Sequence, residues 1–309
     1  MFSIIFPGQG SQTVGMGKEF YEKYSLVKDI FSRADEVLNY KLSKIILDGP
    51  ISEINFTKNT QPAIFVVSYS IFSVMKNEFN IKLNDANYFA GHSLGEYSAL
   101  SCAGSLKFDE AISLLYERGK SMQEAVPKGE GAMLAVLGLN LKEILAEINS
   151  LSINGICEIA NDNCPGQIVI SGDKNSIQNL HNSLKEKSIR GIILPVSAPF
   201  HCSLMLSAEK KMGPKIEKSL FKNPKPSIIS NVTAEPENNV SKIKELLTKQ
   251  ITSKVKWRES VEYMINNGVN EFVEIGPGKV LSGLIKRINK NINVFNINSI
   301  DDIRKYTNK

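Results

Sequence analysis

Two glycines bracket one serine in Gly91-His92-Ser93-Leu94-Gly95. This is the G-x-S-x-G spacing of a nucleophile elbow, a sharp strand-to-helix turn that exposes a serine hydroxyl. Side chains at the flanking positions would clash in such a turn, so glycine is needed on both sides. An apolar lead, Tyr88-Phe89-Ala90, precedes the turn, and a helix-compatible run, Glu96 to Cys102, follows it. The N-terminus of that helix would aim N–H groups and the positive end of its dipole at the serine. These residues predict a nucleophilic Ser93 that carries an acyl group. The spacing alone leaves open whether water or another acceptor removes it.

A nucleophilic serine needs a general base, and the chain has three histidines. His92 adjoins the serine, and neighbours across an elbow rarely aim functional atoms at one another. His181 sits among Ile177, Leu180 and Leu184 and reads as a helix-surface histidine. His201, in "VSAPFHCSLM", follows a strand and a proline-shaped loop and precedes a helix, so it is the base by elimination. A triad also wants an acid. Glu158, Asp162 and Asp173 fall in a different structural unit, so the pattern predicts a Ser93–His201 dyad oriented by another group, such as a backbone carbonyl. Cys202 has no elbow around it and reads as a small buried residue.

The elements that must position these residues alternate in α/β fashion. Phe2–Phe6 reads as a buried strand running into a glycine-rich loop, "PGQGSQTVGMG". That loop matches neither a dinucleotide fingerprint nor a P-loop. It is either a tight turn or a carrier of polar side chains at a strand's C-terminal edge. Helical patterns follow at 17–40, at 60–79 with Asn59/Thr60 as cap, from the elbow to about 103, and from 109 to about 126. After a break at 127–131 the order becomes β-α-β-β-α-β through residue 194, a ferredoxin-like unit. The α/β pattern then resumes with helices at 203–220, 240–252, 257–267 and 279–288 and strands at 227–231, 271–275 and 293–297. The "EIGPGKVL" turn (274–281) either starts its helix or offers a phosphate a helix N-terminus.

Composition sets the class. The 309 residues carry 42% hydrophobic and 22% charged side chains, which suits a globular chain. No apolar run approaches the ~18 residues of a membrane span, and "MFSIIFPGQGSQ" lacks the basic start of a secretory leader. The four cysteines form no C-x-x-C pair, which fits a reduced, cytoplasmic protein. No histidine spacing suits a metal. A net charge of +5 without a dense basic block argues against nucleic acid and fits anionic substrates or an acidic partner.

The motifs together resemble the malonyl-CoA:acyl-carrier-protein transacylase family of fatty acid synthesis. The matches run in order from end to end: "FPGQGSQTVGMG" (6–17), "TQPA" (60–63), "AGHSLGEYSAL" (90–100), "RGKSMQEAVP" (118–127), "GAMLAVLG" (131–138), "NCPGQIVISG" (163–172), "SAPFHCSLM" (197–205), "SNVTA" (230–234) and "EFVEIGPGKVLSGLI" (271–285). The resemblance implies an α/β-hydrolase-like core, residues 1–127 and 197–309, with an inserted ferredoxin-like subdomain at 128–196. It implies malonyl-CoA as substrate, acyl carrier protein as acceptor, no cofactor, and a ping-pong route through a malonyl-serine. Ser93 corresponds to the family's nucleophile and His201 to its base. Gln9 corresponds to the glutamine that forms the oxyanion hole with the N–H of Leu94. Arg118 corresponds to the arginine that binds the malonyl carboxylate. Gln250 falls where a backbone carbonyl orients the histidine, although Lys254 stands where the family pattern has proline.

A serine esterase shares the elbow but needs no buried cation, and a carrier-binding scaffold would need neither serine nor base. Lys211, Lys215, Lys218 and Lys222 recur at helical spacing after His201, as either a carrier-docking stripe or a solvated face, with Gly213-Pro214 expected to kink or break their helix.

Overall fold

The structure, a computed structural model, describes residues 1–151, 154–196 and 198–308. Ser197, where the expected second core segment begins, lies outside the described residues, as do Ser152, Ile153 and Lys309. The chain is a mixed α/β protein. Its strands are β1 (Phe2–Phe6), β2 (Tyr88–Gly91), β3 (Gly131–Leu137), β4 (Cys157–Cys164), β5 (Gln167–Asp173), β6 (Arg190–Ile193), β7 (Ser227–Ile229), β8 (Pro236–Glu237), β9 (Glu271–Ile275) and β10 (Asn293–Ile297).

Among the described residues these strands form two sheets. The larger has the order β10-β9-β1-β2-β7-β8. It is parallel except for β8, which pairs antiparallel with β7. Successive side chains of a strand point to opposite faces, and both faces are buried. Ile4 and Phe6 join Phe89, Phe65 and Leu100 on one side. Ile5 joins Ala90, Phe272 and Trp257 on the other. Burial on both faces is why β1, "FSIIF", reads as an apolar strand interrupted by Ser3 alone rather than as an alternating one.

The smaller sheet is antiparallel, with the order β4-β5-β3-β6. Leu134, Val136, Ile168 and Ile170 pack on one face against Ile144, Ile177, Leu180 and Leu184 of the helices Leu141–Ser150 and Lys174–Glu186. Met133, Ala135, Ala160 and Val169, on the other face, belong to the main core. The smaller sheet is also tied to the start of the helix Trp257–Asn266, which packs on the larger sheet. Asp162 N donates to Val255 O at 3.0 Å, Val255 N donates to Ala160 O at 2.8 Å, and Arg258 binds Asp162 at 2.8 Å.

Several boundaries differ from the sequence expectations. The 17–40 pattern is two helices, Lys18–Lys23 and Ser25–Leu38, broken at Tyr24, which is extended. The 60–79 pattern starts at Thr57 rather than Thr60, and Asn59 and Thr60 do not cap it. Their side chains instead bind the preceding segment: Asn59 donates to Glu53 O and Thr60 to Ile54 O. Pro214 does not break its helix, which runs over Leu206–Lys218 after a 3-10 turn at Ser203–Met205. Two of the four lysines on and just after that helix are paired, Lys211 with Glu124 and Lys215 with Glu117. A final helix, Ile300–Thr307, is capped by Ser299 and was not predicted.

Candidate active site

Ser93 sits between β2 and the helix Gly95–Cys102 with φ 52, a conformation costly for a non-glycine residue. A Cβ on Gly91 would lie 2.0 Å from the carbonyl of Gly95, and one on Gly95 would lie 2.3 Å from Phe6 O. Hence neither bracket tolerates a side chain. The strained turn is held from outside. Ser93 N donates to Asn231 Oδ1 at 2.7 Å, and Asn231 Nδ2 donates to Gly91 O at 2.7 Å. Asn231 follows β7, the neighbour of β2 in the sheet. The N–H groups of Leu94, at the helix start, and of Gln9, in the loop after β1, have no acceptor among the described residues.

His201 is 4% exposed and also has positive φ, 58. Its Nε2 lies 2.8 Å from Ser93 Oγ, and its Nδ1 lies 2.8 Å from Gln250 O. A carbonyl only accepts, so Nδ1 carries the proton and Nε2 is the bare acceptor facing the hydroxyl. Burial, and then the nearby Arg118 charge, lower the imidazole to about 3, while the Gln250 carbonyl acts the other way. The ring is therefore neutral near pH 7. None of the three carboxylates weighed above serves it. Glu158 accepts from Ser203, Asp162 binds Arg258, and Asp173 caps the helix Lys174–Glu186.

Arg118, on the helix Phe108–Gln123, is only 1% exposed and shares that helix's buried stripe with Leu114, Leu115 and Met122. Nη1 donates to Gln61 Oε1 at 2.7 Å; Nη2 donates to Gln250 Oε1 at 2.8 Å and to Ser93 Oγ at 3.1 Å. Its guanidinium lies over the Tyr97 ring, 5.8 Å from the centroid. Nε is buried without a partner. Among the described residues no carboxylate pairs with this cation directly, and burial lowers its pKa. Behind Gln250 lies Glu96, 3% exposed. Its Oε2 accepts from Gln250 Nε2 at 2.7 Å and from Asn231 N at 3.2 Å. Burial pushes this carboxyl up to about 7 against those hydrogen bonds and the Arg118 charge.

A cavity of about 410 Å³ opens over these groups, and Gln9, Ser93, Leu94, Arg118 and His201 all line it. Met133 and Asn161 of the smaller sheet form part of its wall. The structure thus brings together Ser93, His201, Arg118, Gln9, Leu94 and, just behind them, Gln250. His92 points elsewhere: its Nε2 meets Asn163 Oδ1 at 3.0 Å, and its ring lies against Trp257. His181 packs at Gly191 of β6. Cys202 is buried, its thiol pKa raised by burial. The N-terminus of the helix Val280–Ile288 is already occupied, since Glu274 accepts from Leu281 N and Ser282 N. Among the described residues no group of three or more His, Cys, Asp or Glu could hold a metal ion, and no helix is long and apolar enough to cross a membrane. Gln61, Glu96, Asn231 and the Gln250 side chain were not singled out from the sequence. The first three lie inside the "TQPA", "GHSLGE" and "SNVTA" stretches, which was their only signal.

Residues 3–305 match the acyl transferase domain family. The chain is 42% identical over 303 residues to the malonyl CoA-acyl carrier protein transacylase of Bacillus subtilis, spanning 97% of this chain and 94% of that relative. It is 41% identical over 288 residues to the protein of the same name in Escherichia coli, spanning 93% and 92%. Its structure matches an acyl-carrier-protein-S-malonyltransferase from Bartonella henselae with a TM-score of 0.96 at 40% identity, covering 99% of this chain and 98% of that one. It also matches a chain of a structure described as a type II PKS acyl-carrier protein in complex with its malonyl-transacylase, with a TM-score of 0.96 at 38% identity, covering 100% and 99%.

Proposed function

The chain belongs to the acyl transferase domain family as a malonyl-CoA:acyl-carrier-protein transacylase, and we propose that it works by a ping-pong route through a malonyl ester of Ser93. His201 Nε2 takes the hydroxyl proton as Oγ attacks the thioester carbon. The oxyanion is held by the free N–H of Leu94 and by Gln9, at the positive end of the helix dipole. Collapse expels the coenzyme A thiolate, which takes the proton back from His201. The carrier's phosphopantetheine thiol then loses its proton to His201 and attacks the ester. Ser93 leaves and recovers the proton.

Gln250 O keeps Nδ1 protonated and Nε2 bare, so a backbone carbonyl does what an acid does in a triad. The acyl carboxylate binds Arg118. A guanidinium fork accepts a carboxylate through two parallel hydrogen bonds. In the free enzyme Arg118 holds Ser93 Oγ instead; substrate carboxylate takes its place. Pinning the acyl chain and excluding well-placed water favours transfer over hydrolysis.

One observation carries this reading: a buried arginine, without a carboxylate partner among the described residues, lies beside the serine hydroxyl. An esterase for neutral esters has no use for it. The test is intact-protein mass after malonyl-CoA, then after carrier protein, against p-nitrophenyl ester hydrolysis. Malonyl adduct followed by its loss to the carrier supports the route; ester hydrolysis without a stable adduct would remove it.

For the architecture we read residues 1–127 and 197–309 as an α/β-hydrolase-like core and 128–196 as an inserted ferredoxin-like subdomain. The antiparallel order β4-β5-β3-β6 supports the second assignment. The route uses only side chains, backbone, the thioester donor and the thiol acceptor. Unpaired cysteines fit a cytoplasmic setting.

A further inference from the structure

Arg118 is buried, yet its acceptors are all neutral: the amide oxygens of Gln61 and Gln250 and the hydroxyl of Ser93. The buried carboxyl nearest to it in the hydrogen-bond network, Glu96, stands one amide further back, across the Gln250 side chain. A glutamine amide can be turned over, exchanging its oxygen and nitrogen. Here each contact depends on which way it faces. Oε1 receives Arg118 at 2.8 Å; Nε2 gives to Glu96 Oε2 at 2.7 Å and to Ser93 O at 3.1 Å. Turned over, the amide would set donor against donor at Arg118 and acceptor against acceptor at Glu96 and Ser93.

We propose that Glu96 is a positioning residue for the acyl carboxylate site: it anchors the Gln250 amide with its oxygen toward Arg118, and so fixes the guanidinium while leaving its charge for the substrate. This rests on the reading of Arg118 as the carboxylate-binding residue. A carboxylate placed directly on Arg118 would fix the fork equally well but would occupy the donors the substrate needs. An acceptor held one amide away avoids that competition. Glu96 itself is anchored by Asn231 N, the same residue whose side chain braces the elbow. Nucleophile and carboxylate site therefore share one frame.

The test measures kcat/KM for acylation of Ser93 by malonyl-CoA and by acetyl-CoA, in variants whose folding is checked by thermal unfolding. Glu96→Met removes the acceptor at similar volume. It should lower the malonyl value at least about tenfold and the acetyl value less than about threefold, so the malonyl-to-acetyl ratio collapses. Glu96→Gln keeps an acceptor oxygen and should hold the ratio within about threefold of the parent. Adding Glu96→Met to Arg118→Ala should change the ratio no further, because both act through one contact. An equal fall in both substrates, or a Glu96→Gln ratio as low as that of Glu96→Met, overturns the proposal. Should Glu96→Met not fold, Gln250→Met removes the same amide while keeping the carbonyl that orients His201, and the malonyl-to-acetyl ratio must collapse in it as well. Arg118→Ala separates the layers. If it leaves the ratio unchanged, the carboxylate reading itself fails; if it collapses the ratio while Glu96→Met does not, only the role of Glu96 fails.

Discussion

Arg118 Nη2 donates to Ser93 Oγ at 3.1 Å, so the cation that would bind the acyl carboxylate rests on the hydroxyl that would carry the acyl group. Ser93 Oγ also meets His201 Nε2 at 2.8 Å. The hydroxyl thus gives its proton toward the histidine and accepts from the arginine. A substrate carboxylate that draws Arg118 to itself leaves the serine with the histidine alone.

Arg118→Ala should lower kcat/KM for malonyl-CoA by roughly 30- to 5,000-fold, the effect of losing about 2–5 kcal/mol from one partner of a desolvated charge pair. Acetyl-CoA should be spared or improved, because a buried cation is removed with it. Arg118→Lys should not rescue malonyl, since an ammonium lacks the planar fork. Steady-state acylation with both thioesters decides this, and an equal loss for both would make Arg118 structural.

Malonyl-CoA should add one malonyl mass to the protein, on the peptide that contains Ser93. Ser93→Ala should abolish the adduct. Cys202, buried and with its thiol pKa raised, should not take the label. Peptide mapping of the labelled protein checks both statements, and label on Cys202 would contradict them.

The pH profile follows from His201. The neutral imidazole is the form that can accept the serine proton, and burial lowers its pKa from 6.5 to about 3. Acidification protonates it only near the lowered value, so the acid limb of kcat/KM should fall below about pH 5, not near the ordinary histidine range. The limb of kcat should lie higher, since a bound carboxylate offsets the Arg118 charge that disfavours the imidazolium. The same shift acts on stability. The unfolded chain binds a proton that the folded one refuses, so this residue makes stability fall as pH drops from 6.5 toward 3. A kcat/KM limb near 6.5 would contradict the burial argument.

Asn231→Leu should strip the elbow of its brace. It leaves Ser93 N and Gly91 O without their partner, and each buried unsatisfied group costs about 1–3 kcal/mol. Urea unfolding should show a loss of that order together with loss of acylation. A fully stable but inactive variant would show that Asn231 serves catalysis alone.

Much of the site was legible because steric demand selects residue types. Only glycine fits where the Gly91 and Gly95 backbones meet their neighbours, so the elbow announced itself in five residues. The buried runs of β1 and β9 and the β-α-β-β-α-β order likewise follow from local periodicity. Helix starts were less legible. Asn59 and Thr60 look like caps, yet tertiary contacts with Glu53 and Ile54 take their side chains and the helix begins earlier. Elimination among three histidines reached His201, and the absence of a convincing acid was itself readable.

What the sequence determined by itself is the chemistry on offer: a framed serine, one eligible base, and a motif order that names the family. What only the tertiary structure decided is how the distant pieces meet. His201 is oriented by Gln250 O, and a backbone carbonyl is carried by every residue, so no residue type can announce it. Asn231 reaches Ser93 because β7 lies beside β2. Gln250 stands between Arg118 and Glu96 only because separate segments of the chain converge beneath the elbow. Side-chain type is local information; the direction of a carbonyl and the face of an amide are set by the packing of the whole chain.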